Sequence, residues 1–234
     1  LQVAAQLAKP AKVQLFREIC ERADFAIATT QDLVPLFRHA GARQVEFVPT
    51  PYPVDEFDWD FAIPIDERRG IFVGTREWDV PSRNHFAALL VARQLCEATG
   101  EAVTVVNVDS YKGRRLLREL NFCEGKLRVI EKWKNYPDYL RDVARHKIVL
   151  QLDRSHVPGQ VAGDALLCRI PCVGGDGAIE RIAFSKTCGE ARTINEIASM
   201  AQDLLKDPGL REAVVGESQE RARERLSFEV VRTQ

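Results

Sequence analysis

The sequence predicts an α/β protein built on a doubly wound parallel sheet, preceded by an incomplete N-terminal domain. From Ile71 onward, short apolar runs alternate with segments whose apolar residues recur at the helical period. The runs are apolar at nearly every position, as strands covered on both faces are, and each ends in a polar or glycine-bearing turn before the next helix.

Residues 12–22 (KVQLFREICER) have helical spacing, and 24–28 (DFAIA) form a short run of buried-strand type. Thr29 and Thr30, ahead of Gln31 and Asp32, can cap a helix over about 31–40 that Gly41 stops. A strand at 45–49 (VEFVP) runs into TPYPVDEFDWD, whose prolines and acids read as an irregular linker. Beyond it, strands are expected at 70–73, 102–106, 127–130, 147–152 and 170–173. Helices are expected over 84–99, 112–121, 137–145, 160–168, 178–184, 194–206 and 208–225. Right-handed crossovers then leave a doubly wound sheet as nearly the only topology. The expected division is a partial domain with its linker over 1–55, the sheet domain over 56–215 and a C-terminal helix over 216–234, whose ESQERARERL stretch reads as a solvated face.

The 234 residues carry 33 basic and 34 acidic side chains, a net charge of −1, so no whole-chain field favours nucleic acid or a membrane. A local basic pocket for a small anion stays open. Six cysteines lie scattered without a C-x-x-C pair, and Cys168 and Cys172 straddle Pro171, which speaks against a zinc site. Free buried thiols in a reducing, cytoplasmic compartment are the expectation. No apolar run approaches the roughly 18 residues of a membrane span, so at most peripheral membrane contact is expected. The chain opens on Leu1 without a charged-then-apolar leader, which reads as a piece of a longer cytoplasmic protein.

Ligands of open parallel sheets bind beyond the carboxyl ends of the strands, and three loops there carry polar residues. After Leu152, Gly159 precedes a helix whose first N–H groups, at Gln160 and Val161, are where a phosphate is accommodated. Asp164, about one turn in, can accept two hydrogen bonds from a vicinal diol such as ribose. A helix-starting glycine followed by an acid that favours the dipole explains the same residues without a ligand. After Val173, GGDGAIERI offers Gly174 and Gly175 for close backbone approach, with Glu180 early in the next helix. Its G-G-x-G spacing departs from the dinucleotide fingerprint, and a plain strand-to-helix turn fits it as well. After Val73, Arg76 and Arg83 flank Pro81, with Asn84 or Ser82 placed to cap the following helix. Two guanidiniums beside two helix amino ends suit a dianion, although surface arginines often do nothing more. Together the three loops describe a nucleoside diphosphate site.

Those residues, in that order, resemble the donor-binding half of retaining glycosyltransferases of the GT-B fold. In that family a strand ends in Ser and an acid, with Gly three residues after the acid and a second acid eight after it. An Ala, a Pro-Val pair and a Gly-Gly turn follow. Here Ser155, His156, Gly159, Asp164, Ala165, Pro171, Val173, Gly174 and Gly175 fall in register, and Glu180 stands where the family has a Glu. Upstream, ADFAIATTQDLVPLFRHAGARQVEFVPTPY is similar to the close of the family's acceptor domain. His156 replaces the first acid, which contacts donor-sugar hydroxyls, and Asp164 replaces the longer Glu that holds the ribose. Arg76 and Arg83 match the family's basic pair. EKWKNY places Lys132 and Trp133 where the family seats the base, with ordinary packing as the other explanation for Trp133.

The resemblance implies hexosyl transfer from a UDP or GDP sugar to a carbohydrate, lipid or protein acceptor, with neither metal nor further cofactor. Arg76, Arg83 and His156 would be catalytic; Asp164, Gly159, Gln160, Val161, Gly174, Gly175, Glu180, Lys132 and Trp133 would bind the donor. His156 and the partial acceptor domain also fit a degenerate transferase kept as a binding or scaffold module. A dinucleotide oxidoreductase using GGDGA is the third reading, opposed by the absent fingerprint.

Overall fold

The computed structural model describes residues 7–75, 78–108 and 111–233. The chain begins with a small unit in which helix α1 (Pro10–Arg22) and helix α2 (Leu33–His39) accompany two short parallel strands, β1 (Ala26–Ala28) and β2 (Val45–Phe47). Cys20, Ala28, Leu33 and Val45 form its own small core. The linker follows with single 3-10 turns at Phe57–Trp59 and Ile65–Glu67.

The main domain is a five-stranded, all-parallel sheet in the order β5-β4-β3-β6-β7. Its strands are β3 (Ile71–Val73), β4 (Val103–Val106), β5 (Leu127–Ile130), β6 (Ile148–Leu150) and β7 (Cys172–Val173). Between and after them run α3 (His85–Thr99), α4 (Tyr111–Glu119), α5 (Tyr136–Ala144), α6 (Gln160–Leu167), α7 (Ala178–Ala183), α8 (Ile194–Lys206), α9 (Pro208–Leu226) and α10 (Phe228–Arg232). The doubly wound α/β class expected from the sequence is the one observed. Every residue of β3, β4 and β6 is buried, which is why β3 and β6 read as unbroken apolar runs and β4 as one interrupted only by Thr104. The chain walks outward from β3 through β4 to β5 and returns to place β6 on the other side of β3. The strand order therefore reverses between β3 and β6, where open sheets bind ligands.

Several boundaries differ from the expected ones for local reasons. Helix α2 starts at Leu33 rather than 31, and neither Thr29 nor Thr30 caps it through its side chain: the Leu33 N–H donates to the Thr30 backbone carbonyl at 3.2 Å, and the buried Thr30 hydroxyl has no hydrogen-bond partner among the described residues. Neither Ser82 nor Asn84 caps α3: Asn84 takes a left-handed φ of 48° and donates to the Leu152 carbonyl at 3.0 Å, while Ser82 shares a hydrogen bond with Ser155 at 2.8 Å. Strand β6 ends at Leu150, short of Leu152. Helix α9 runs unbroken across 215 and 216, and Ser227 caps the additional short helix α10.

The linker is fastened to the main domain by Tyr52, whose backbone N–H donates to the Leu226 carbonyl at 2.8 Å and whose ring lies on Gly163 of α6. All six cysteines are free, and only Cys123 is exposed. Among the described residues no helix is long and apolar enough to cross a membrane.

Candidate functional site

A cleft of about 280 Å3 opens where the carboxyl ends of β3 and β6 part. Two glycines shape it. A Cβ on Gly74 would fall 2.3 Å from a Val161 methyl, so its absence lets the end of β3 pass close to the first turn of α6. Gly159, at φ +94°, holds the left-handed conformation that starts α6, where a side chain would strike the Glu180 carboxyl. The N–H groups of Ala162 and Gly163 donate to the Gly159 carbonyl at 3.0 Å each. Those of Gln160 and Val161 come first in the helix, where no intrahelical acceptor exists, and both residues line the cleft.

Arg83, at the end of the Pro81–Arg83 turn, faces the same cleft and forms an ion pair with buried Asp153. Asp153 also accepts the Ser155 N–H at 2.8 Å, so it fixes both the arginine and the loop that leads to Gly159. Asp164 lies one turn into α6, nearly buried, and its Oδ1 accepts a 2.5 Å hydrogen bond from the Tyr136 hydroxyl. Burial and the Asp164 charge together push the Tyr136 phenol far above its ordinary range. Glu180 closes the back of the cleft, with one oxygen accepting from Gln151. Burial pushes its carboxyl up to about 8, and the neighbouring acids Asp153 and Asp176 act in the same direction.

A second pocket of about 200 Å3 sits beyond β4 and β5, lined by Val106, Ile130, Lys132, Trp133, Tyr136 and Tyr139. Trp133 is 75% exposed, so ordinary core packing does not account for it. Tyr136 stacks near Tyr139, with ring centroids 6.3 Å apart and planes 16° from parallel. Because Tyr136 walls this pocket and also bonds Asp164, it joins the two clefts.

The structure thus brings Arg83, Gly159, Gln160, Val161, Asp164 and Glu180 to one cleft, and Lys132 and Trp133 to the adjoining pocket. Arg76 lies outside the described residues. His156 has its Nδ1 3.1 Å from Asp32 on the N-terminal unit, and it is not among the residues that line the cleft. Arg181 reaches the same Asp32 oxygen at 3.0 Å. Burial pushes Asp32 upward, but the hydrogen bonds from His156 and Arg181 outweigh it and hold the carboxyl below its usual range. Gly174 and Gly175 also stand behind the cleft, where a Cβ would fall 2.5 Å from the Gln151 carbonyl or from a Glu180 oxygen respectively. Their lack of side chains makes room for Gln151 and Glu180.

Asp153, Gln151 and Tyr136 escaped the sequence reading. An acid just past the end of β6 and a tyrosine opening α5 were the available signals, but neither announces its partner. Among the described residues no cluster of His, Cys, Asp and Glu could hold a metal ion.

No model of a known protein family matches the chain, and no curated protein matches it. Solved structures do. Sucrose-phosphate synthase from Thermosynechococcus elongatus superposes with a TM-score of 0.73 at 15% identity, over 97% of this chain and 60% of that one. The trehalose-6-phosphate synthase from Burkholderia multivorans gives 0.72 at 12% identity, over 96% and 60%. The C-terminal domain of the group 1 glycosyl transferase LpcC from Francisella tularensis gives 0.55 at 14%, over 68% of this chain and 87% of that domain. The chain spans about 60% of the length of the two synthases. Its fold is that of GT-B glycosyltransferases: the Rossmann-like domain together with part of the domain before it.

Proposed function

We propose that the cleft seats the diphosphate of a nucleoside diphosphate sugar, and that the chain is the donor-binding part of a hexosyl-transferring, metal-independent glycosyltransferase. One observation carries this reading: the amino end of α6, Arg83 and Asp164 converge at the strand-order reversal, and Tyr136 links them to an aromatic pocket of base size. The N–H groups of Gln160 and Val161 and the Arg83 guanidinium would stabilise the charge that develops on the leaving diphosphate. Asp164 would take ribose hydroxyls, while Trp133 would stack on a UDP or GDP base beside Lys132. Arg76 is proposed as the second cation on the diphosphate. The acceptor is a carbohydrate, lipid or protein hydroxyl.

Isothermal titration with UDP and GDP tests the proposal, with Asp164→Ala expected to lose at least tenfold in affinity. A wild type that binds neither nucleotide, or an Asp164→Ala variant that binds as well as wild type, overturns it. One observation favours a second reading, that of a non-catalytic binding module: His156 holds the register of the family's first acid, yet its ring is turned to Asp32. Donor binding without turnover or hydrolysis, across several sugar nucleotides and acceptors, supports that module over the transferase.

A further inference from the structure

One group in the wall of the cleft lacks a partner. Glu180 is 1% exposed, and while its Oε1 accepts from the Gln151 side chain, its Oε2 is buried with no hydrogen-bond partner among the described residues. Three positions around this carboxyl carry no side chain. A Cβ would fall 2.0 Å from Oε2 at Gly159, 2.6 Å from it at Gly177, and 2.5 Å from Oε1 at Gly175. The missing side chains at those glycines leave room for the carboxyl to lie against Gly159, the residue just before α6.

No cation among the described residues forms an ion pair with Glu180, although the charge of Arg181 acts on it from a distance. Arg181, its neighbour in α7, is spent on Asp32 and Glu190 at 3.0 and 3.4 Å. Arg154 is bound to Asp176 at 3.1 Å, and Arg83 to Asp153. The other titratable groups facing Glu180 are acids or neutral: Asp153 and Asp176 from the loops after β6 and β7, Cys172 from β7, and Tyr52 from the linker. Asp164 lies across the same cleft, on α6.

We infer that Glu180 serves as an uncharged carboxylic acid whose Oε2 hydroxyl donates a hydrogen bond to an anionic oxygen of the ligand at the amino end of α6. The inference rests on the nucleoside diphosphate reading and adds to it a residue that senses the ligand's charge. Because Oε1 already accepts from Gln151, the acid proton belongs on Oε2, which turns the unpartnered atom into a donor. Burial favours the neutral form and Asp153 and Asp176 reinforce it, outweighing the residue's own backbone N–H and the Arg181 charge, which favour the carboxylate. Loss of the proton would set a carboxylate against the phosphate and remove the donor in one step.

The experiment is titration of UDP and GDP between about pH 6 and pH 9.5 on wild type and Glu180→Gln. Wild-type affinity is expected to fall by up to about tenfold per pH unit once Glu180 ionises. Glu180→Gln keeps an uncharged N–H donor and is expected to lose that alkaline decline. A wild-type profile flat to pH 9.5, or the same decline in Glu180→Gln, overturns the inference while leaving the nucleotide site standing. Failure of wild type to bind either nucleotide overturns both. Infrared spectroscopy of the unliganded wild type keeps the idea testable if Glu180→Gln misfolds: a carboxylic-acid C=O band is expected at neutral pH and should vanish at alkaline pH, and its absence at neutral pH refutes the protonated acid.

Discussion

Replacing Gly163 by alanine measures how firmly the linker holds the helix that carries the site. The new Cβ would lie 1.9 Å from Cζ of Tyr52, and 2.2 and 2.4 Å from its Cε1 and Cε2. Ordinary contact begins near 3.4 Å, so the ring must withdraw by about 1.5 Å, the difference between 3.4 and 1.9. It has little room to do so: Tyr52 is 8% exposed, its hydroxyl donates to the Gln160 carbonyl at 3.2 Å, and its backbone is bonded to Leu226. Overpacking of this kind costs about 1–3 kcal/mol. Loss of the hydroxyl bond adds about 1 kcal/mol, and the better helix propensity of alanine returns about the same amount. The net destabilisation is therefore about 1–3 kcal/mol, with each kcal/mol lowering Tm by about 2–4 °C at this chain length. In a Tyr52→Ala background the obstacle is gone, and Gly163→Ala should become stabilising by about 0.5–1 kcal/mol. Urea unfolding of the wild type, both single variants and the double variant gives the coupling directly. A neutral Gly163→Ala, or an equal loss in both backgrounds, would refute the packing argument.

Three other outcomes are expected. Arg83→Ala strands the buried Asp153 carboxylate and should cost about 2–4 kcal/mol in thermal unfolding, with Arg83→Lys recovering part of it; a loss below about 0.5 kcal/mol would show the pair is not structural. His85 is buried against Trp78, and burial lowers its pKa to about 4. Since its folded pKa lies below the unfolded value of about 6.5, the unfolded chain binds the proton first, so stability should fall as pH drops from about 6.5 to about 4, by up to about 3 kcal/mol relative to His85→Phe. Parallel pH profiles for the two proteins in that window contradict this. Tyr136→Phe removes the hydroxyl that bonds Asp164 and should weaken UDP binding by about tenfold or less; unchanged affinity would show that Asp164 does not depend on it.

Much of the architecture is visible in one dimension because it follows from local apolar periodicity. Runs such as IFV at 71–73 and IVL at 148–150 are apolar throughout because both faces of those strands are covered. Helix bodies such as α3 and α8 show through a buried stripe at the helical period, whereas α6 is buried along nearly its whole length. The polar contacts just past β6 are not visible, because the Gln151 and Asp153 side chains meet Glu180 and Arg83, partners that no window of sequence contains. Arg83 and Asp164 could be proposed from residue type and spacing. Tyr136 could not be placed, since its tie to Asp164 spans 28 residues and depends on how α5 lies beside α6.

The amino-acid order by itself determined the α/β class, the succession of strands and helices, and the register of small and acidic residues around Gly159. Tertiary structure alone decided which way the polar side chains face. His156 keeps its place in the motif, but its ring direction is set by Asp32, 124 positions earlier in the chain. Periodicity records only whether a position is covered, whereas a hydrogen bond depends on distance and angle to an atom brought near by the whole fold.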